Sequence, residues 1–100
     1  MPDVIYGDFE WDSAKARRNR RDHLISFREA TSVFDDPLFV TYYSSQHSTQ
    51  EDRYVIIGQS RRRRLLAVAY VEQERRIRII SARRVTPRER RSYEEAEEEF

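Results

Sequence analysis

Cysteine is absent from this sequence of 100 residues, and histidine occurs only twice. A chain without cysteine has no disulfide framework and no thiol chemistry. Two scattered histidines cannot form a zinc site by themselves, and no metal-ligand spacing is present. We therefore expect neither a bound metal ion nor a cofactor.

Long hydrophobic runs are also absent. No apolar segment approaches the length of a membrane-spanning helix, and the N-terminus lacks the basic and apolar regions of a signal peptide. We therefore expect a soluble, cytoplasmic protein with no membrane partner. The length suits one domain, at 1–100, that ends in an acidic tail at about 94–100.

Arginine supplies almost all of the positive charge. The net charge is only +1, but Lys15 is the single lysine among 19 basic residues, and acidic residues are concentrated in the tail. The planar guanidinium group binds phosphate through two hydrogen bonds, which an ammonium group cannot do. A basic body of this kind suits a nucleic-acid partner, whereas a solvated charged surface is the alternative. Composition alone does not separate the two.

Hydrophobic spacing and capping residues predict three helices. Asp12 is an N-cap candidate, and Ser26 with Glu29 and Thr86 with Glu89 form capping boxes. Segments rich in β-branched and aromatic residues predict strands at 4–9, 38–43, 54–58, 65–71 and 74–84. Short connections join the last three strands into an antiparallel meander. The predicted fold class is α+β, a twisted antiparallel sheet with helices packed on one face.

The predicted strand at 74–84 combines isoleucine with arginine. Arg78 lies at its middle, and a guanidinium group on a sheet requires an anionic partner. That partner is either a carboxylate, such as that of Glu10 or Glu89, or an external phosphate, and we favour the phosphate. Because side chains alternate along a strand, Arg78 and Arg83 are predicted to lie on opposite faces.

Short motifs of aromatic, acidic and basic residues are distributed along the whole chain. They are Phe9-Glu10-Trp11-Asp12, Lys15, Asn19, His23, Ser26-Phe27 with Ala30, Val33-Phe34-Asp35-Asp36, His47-Ser48, Glu51 with Arg53, Gly58, Leu65-Leu66, Ile77-Arg78-Ile79-Ile80-Ser81-Ala82-Arg83, Glu89, Arg91 and Tyr93. In this order they resemble the motifs of BrnT-type toxins. Two positions depart from the family pattern, Leu24 and Arg63, where glycine is common.

The resemblance implies a RelE-like fold and the function of a ribonuclease toxin in a type II toxin–antitoxin system. It also implies a cognate BrnA-type antitoxin, with two toxin chains bound to an antitoxin dimer. Such a complex represses its own operon, because the antitoxin binds operator DNA.

Metal-independent RNA cleavage by attack of the 2′-hydroxyl on phosphate needs a base, a proton for the leaving oxygen and positive charge near the phosphate. Arg64, Arg78 and Arg83 are the candidates for charge stabilisation, and we favour Arg64 together with Arg78. Arginine stays protonated and cannot be the base.

The base candidates are Glu51, His47 and His23. His47 and Glu51 lie in one predicted loop beside Arg53, and histidine as a residue type titrates near neutrality. His23 is more often a helix-end residue than a catalyst. Glu51 and His47 are therefore predicted to be catalytic together with the arginines.

Four further residues are candidates for RNA binding: Arg53, Arg76, His23 and Tyr93. Tyr93 can stack on a base, although an aromatic residue on an amphipathic helix is more often part of the core. The alternative function for the whole chain is a non-catalytic RNA- or DNA-binding regulatory module whose arginines only hold phosphate.

Overall fold

The computed structural model of the protein describes residues 3–44 and 52–98. In chain order its elements are β1 (Asp3–Tyr6), β2 (Phe9–Asp12), α1 (Ser13–His23), α2 (Phe27–Ser32), a short 3-10 helix (Val33–Asp35), β3 (Val40–Tyr43), β4 (Tyr54–Gln59), β5 (Leu65–Glu72), β6 (Ile77–Arg84) and α3 (Pro87–Glu98). No helix in this described part of the chain is long and apolar enough to cross a membrane.

The predicted first strand is a hairpin. Gly7 has a φ of 59°, and the turn that it begins separates β1 from β2. This left-handed conformation costs glycine little because glycine has no Cβ atom. The prediction of one strand at 4–9 is therefore wrong, because it overlooked this turn.

Both predicted N-cap hydrogen bonds are present, but only the Thr86–Glu89 capping box is complete. Ser26 Oγ accepts from the backbone N–H of Glu29 at 3.1 Å, and Thr86 Oγ1 accepts from that of Glu89 at 3.2 Å. The Glu89 carboxylate completes its box by accepting from the N–H of Thr86 at 2.9 Å. The Glu29 carboxylate instead turns inward to bind a guanidinium group, described below.

The six strands form one sheet in the order β1-β2-β6-β5-β4-β3. The predicted α+β class and the antiparallel meander β4–β5–β6 are confirmed. The sheet is mixed rather than wholly antiparallel, because β2 and β6 run parallel. The meander fixes the direction of β6. Because helices and three strands separate β2 from β6 in the chain, no hairpin forces these two strands to run antiparallel.

Helices cover both faces of the sheet. A core that includes Trp11, Phe27 and Ile56 lies under α1 and α2, whereas Ile57 packs with Tyr93 of α3 in a second cluster. Neighbouring residues of a strand point to opposite faces, so we name these the α1/α2 face and the α3 face. The expectation that all helices pack on one face is wrong for α3, because its Tyr93 fills the second cluster.

A β-bulge interrupts β6. Ala69 pairs with Ser81 and Tyr70 pairs with Ile79, so Ile80 has no partner of its own on β5. An extra residue of this kind shifts the alternation of side chains along the rest of the strand.

The bulge changes the face on which Arg83 lies. Arg78 pairs with Val71 and Arg83 pairs with Ala67. Val71 and Ala67 are four residues apart on a regular strand and share the α3 face, so their partners share it too. The prediction that Arg78 and Arg83 lie on opposite faces is therefore wrong.

Candidate nucleic-acid interface

Arg78 is bound by two carboxylates of the N-terminal hairpin. Its Nη1 donates to Glu10 Oε2 at 2.6 Å and to Asp3 Oδ2 at 3.2 Å, and its Nη2 donates to Asp3 Oδ1 at 3.1 Å. The hydrogen bonds with Asp3 raise the pKa of Arg78 and lower the pKa of Asp3. The Arg78 side chain remains 24% exposed, so its guanidinium group is oriented by the hairpin but still accessible.

Arg64 is bound by a buried carboxylate on the α1/α2 face. Its Nε donates to Glu29 Oε2 at 2.9 Å, its Nη2 binds Glu29 Oε1, and Ser60 Oγ donates to Glu29 Oε2 at 2.7 Å. The Glu29 side chain is only 2% exposed, and the hydrogen bonds from Arg64 lower its pKa. Arg64 thus neutralises a buried charge that would be costly without a partner.

Arg83 is bound by the carboxylate of Glu89 at the start of α3. Its Nη1 and Nη2 donate to the two oxygens at 2.7 and 2.9 Å, and Tyr42 Oη donates to Oε2 at 2.7 Å. The hydrogen bonds from Arg83 lower the pKa of Glu89 to about 2. Burial, and then the bond to Glu89, raises the pKa of Tyr42. This cluster attaches α3 to β6 and β3.

The structure does not bring Arg64 and Arg78 together. Arg64 immediately precedes β5 and binds its partner on the α1/α2 face, whereas Arg78 lies on the α3 face opposite Val71. The length of β5 separates them by about 20 Å at the usual rise per residue. The prediction that these two arginines converge on one phosphate is wrong, because they lie on different faces at different ends of the sheet.

His47 and Glu51 lie outside the described residues. The described residues on either side of them, Ser44 and Arg53, are joined at one end of the sheet, where the N–H of Ser44 donates to the carbonyl of Arg53 at 2.8 Å. This is the end of the sheet on which Arg78 lies. Arg53 is half-buried and has no ion pair with any residue within 3–44 and 52–96. No group of acidic, histidine or cysteine side chains in this part of the chain is arranged to bind a metal ion.

Tyr93 and Arg76 occupy different environments. The Tyr93 residue is 8% exposed, and its hydroxyl group donates to Asp36 Oδ2 at 2.6 Å. A base cannot stack on a ring that is already packed in the core, so the predicted RNA contact of Tyr93 is not supported. Arg76 is half-buried in the turn between β5 and β6, where its carbonyl accepts from the N–H of Gln73 at 3.0 Å. Its role in RNA binding stays a prediction.

His23 ends α1 and lines a cleft of about 240 Å³ between that helix and β6. The same cleft is lined by Lys15 and Arg18, which were not among the predicted site residues. Lys15 and Arg18 are three residues apart, and Lys15, Asn19 and His23 follow one another at intervals of four, so each set has neighbours on the surface of α1. That spacing is the sequence signal that would have grouped them.

The next residue, Leu24, is the C-cap of α1 and has a φ of 60°, and Arg63 has a φ of 61°. They are the two non-glycine residues with positive φ among those that the structure describes. The two departures from the family pattern therefore fall at positions whose backbone favours glycine.

The comparisons with known proteins agree with the resemblance seen in the sequence. A family model described as the ribonuclease toxin BrnT of type II toxin–antitoxin systems matches residues 11–89, which is more than three-quarters of the chain. No curated protein matches the chain.

Proposed function

Because the chain belongs to the BrnT family of ribonuclease toxins of type II toxin–antitoxin systems, we propose that it cleaves RNA internally and without a metal ion. In this reaction a 2′-hydroxyl group attacks the adjacent phosphate. We further propose that it acts in the cytoplasm, where RNA and the antitoxin that the family requires are present.

The observation that carries this proposal is the environment of Arg78. Glu10 and Asp3 orient its guanidinium group on the α3 face, yet 24% of the side chain is exposed. Helix α3 packs against β3 and β4, at a distance from this end of β6. Asp3 is itself 51% exposed, so a phosphate can displace it while Glu10 retains its hydrogen bond to Arg78. The cation is therefore oriented before RNA binds, which favours charge stabilisation.

The proposed steps use two arginines at this end of the sheet and a base from residues 45–51. Arg78 and Arg53 donate to the non-bridging oxygens of the scissile phosphate. Either His47 or Glu51 accepts the proton of the 2′-hydroxyl as the 2′-oxygen bonds to phosphorus and the bond to the 5′-oxygen breaks. The leaving 5′-oxygen takes a proton from a solvent water, and the protonated base returns its proton to solvent, which gives a 2′,3′-cyclic phosphate and a 5′-hydroxyl. The roles of Arg64 and Arg83 are structural in this scheme, because their partners Glu29 and Glu89 are only 2% and 10% exposed and are not displaced by a phosphate as Asp3 can be.

The first test is cleavage of RNA by the purified chain in excess chelator. Arg78→Ala should lower the cleavage rate by about 10²–10³-fold, as expected when one donor to a developing oxyanion is lost. Arg78→Lys should give an intermediate rate, because it keeps the charge but loses the second donor. Arg75→Ala is the matched control, since it removes an exposed arginine from the adjacent turn.

Folding of each variant is compared by circular dichroism, because Arg78→Ala also removes the partner of Glu10. Equal cleavage by Arg78→Ala and Arg75→Ala, at matched folding, would exclude Arg78 from catalysis. Cleavage that disappears with chelator in the wild type would exclude the metal-independent reaction.

The antitoxin partner of this family is proposed to be of the BrnA type, with two toxin chains bound to an antitoxin dimer that represses the operon through operator DNA. We propose that it covers Arg78, because masking a phosphate site inhibits directly. Light scattering should give the mass of two toxin and two antitoxin chains. Glyoxal reagents should modify Arg78 much more slowly in the complex than in the free chain, whereas the modification rate of Arg75 should stay the same in both. Equal modification would place the inhibitory contact elsewhere.

A second function is favoured by a specific observation: Arg64, Arg78 and Arg83 each already bind a carboxylate. Arginines neutralised in this way are less available to stabilise charge in a reaction, whereas exposed cations such as Arg18 can still hold phosphate, which suits a non-catalytic RNA- or DNA-binding regulatory module. A folded wild type that binds RNA but does not cleave it, either alone or with ribosomes, would favour that function over the ribonuclease.

A further inference from the structure

Helix α1 lies along the part of β6 that extends beyond the pairing with β2. The side chain of Asn19 joins the helix to the strand: its Nδ2 donates to the carbonyl of Ala82 at 2.9 Å, and its Oδ1 accepts from the N–H of Ala82 at 3.1 Å. Nδ2 also donates to the carbonyl of Ile25 at 3.0 Å. Asn19 is 6% exposed, so this clamp is buried and fixes the position of α1.

A cleft of about 240 Å³ opens beside this clamp. The helix supplies Lys15, Arg18 and His23, and β6 supplies Ser81 at the bulge. Lys15 and Arg18 are exposed, and neither forms an ion pair with any other described residue. Because the clamp fixes α1 against β6, two cations without an ion pair and two further residues with hydrogen-bonding groups line one cleft.

One acidic residue, Asp22, also lines the cleft, but it has a partner. Its Oδ1 accepts from Arg21 Nε at 3.1 Å, on the same exposed side of the helix end. This contact compensates the negative charge, so the excess charge facing the cleft is positive. Clefts lined by one sign of charge attract ligands of the opposite sign.

The cations of this cleft differ from Arg64, Arg78 and Arg83, each of which binds a carboxylate. An external anion that enters the cleft displaces no protein carboxylate from Lys15 or Arg18. Ser81 also lies three residues from Arg78 along β6, a separation of about 10 Å at the usual rise of a strand. Because α1 and Arg78 lie on opposite faces, an RNA strand that contacts both places crosses the edge of β6 that extends beyond β2.

We propose that the α1–β6 cleft binds a backbone phosphate of the RNA substrate, next to the phosphate held at Arg78. Lys15 and Arg18 supply the positive charge, and His23 and Ser81 supply hydrogen bonds. This inference rests on the proposed ribonuclease function, because it takes RNA as the ligand. It assigns the cleft to positioning of the strand and not to bond cleavage.

The test compares two double variants of the same helix. Lys15→Ala with Arg18→Ala removes the cations of the cleft. Arg17→Ala with Arg20→Ala removes the same charge from exposed positions that do not line it. The probe is a fluorescent single-stranded RNA with 2′-O-methyl groups, which cannot undergo attack by a 2′-hydroxyl. Affinity is measured by anisotropy over a range of salt concentrations.

The cleft variant should bind this probe about tenfold more weakly than the wild type at 0.1 M salt. Its plot of log affinity against log salt should be shallower by about 1.4, as expected for two lost phosphate contacts on a single strand. The control variant should change both quantities less. Equal effects in the two variants would overturn the inference, and so would a wild type that does not bind the probe.

Cleavage of the unmodified RNA is measured in parallel. A wild type that binds the probe as described but does not cleave would refute the proposed function and leave the cleft assignment intact. Normal cleavage by the wild type, together with equal RNA binding by both double variants, would support the proposed function and refute the cleft assignment.

A cleft variant that binds RNA like the control but fails to bind the antitoxin would assign the cleft to the protein partner and overturn the inference. A second cleft variant, Lys15→Gln with Arg18→Gln, repeats the test while keeping long polar side chains.

Discussion

Leu24 has a backbone conformation that is costly for its side chain. A left-handed conformation costs a non-glycine residue about 1–2 kcal/mol, and glycine adopts it without a steric penalty. Because Leu24 is 74% exposed, its side chain recovers little of this cost through packing. The C-cap of α1 is therefore a strained position.

Leu24→Gly should stabilise the protein by about 0.5–1 kcal/mol, since relief of this strain exceeds the greater entropy that glycine has in the unfolded chain. Leu24→Ala is the control: it removes the same exposed side chain but keeps the Cβ atom, so it should have little effect. Urea unfolding measures both free energies. A glycine variant no more stable than the alanine variant would show that the strain is absent.

Capping residues were predictable from sequence because their partners are local. Ser26 and Glu29 are three residues apart, and their hydrogen bond is present. The partner of Arg78 was predictable only in part: Glu10 was one of the carboxylates considered, but Asp3 was not. Asp3 lies 75 positions away in the chain, and only the hairpin brings it to Arg78.

At the scale of elements, α3 is attached to the sheet through an acid-sensitive contact. Glu89 has a folded-state pKa of about 2, below its ordinary value of 4.5, because Arg83 binds its charged form. A group with a lowered folded pKa contributes stability above its unfolded pKa and loses that contribution as pH falls toward its folded pKa. The relevant window is therefore from about pH 4.5 down to about pH 2.

Glu89→Gln should lower the free energy of unfolding at neutral pH by about 1–2 kcal/mol, allowing for solvent screening at the partly exposed Arg83. The difference between wild type and variant should shrink as pH falls through the window and nearly vanish at its lower end. Urea unfolding at a series of pH values measures it. A difference that does not depend on pH would contradict the assigned pKa.

The strands at 54–58, 65–71 and 74–84 were predictable because each contains several β-branched residues, which favour strands. The bulge in β6 was not, because Ile79 and Ile80 are both apolar and either can face the core. Register on β5 decides between them: Tyr70 pairs with Ile79 and leaves Ile80 without a partner. Because of this register, Arg83 lies on the same face as Arg78. No local sequence pattern indicates that placement.

At the scale of the whole molecule, the arginines perform two different tasks. Arg64, Arg78 and Arg83 form ion pairs that join α2 to the start of β5, the N-terminal hairpin to β6, and α3 to β6. Other basic residues, such as Arg18 and Lys15, have no such partner in the described part of the chain. Composition could not separate a structural charge from a binding charge, since the difference is made by the fold.

The Asn19 clamp also limits how the sheet can grow. An unpaired strand edge is a template on which another chain can add a strand. The amide group of Asn19 occupies the backbone groups of Ala82 as a neighbouring strand would, and α1 covers that stretch of β6. Backbone pairing with another molecule is thereby directed to the outermost strands, β1 and β3. The β3 side carries the exposed aromatic residues Phe39 and Tyr43.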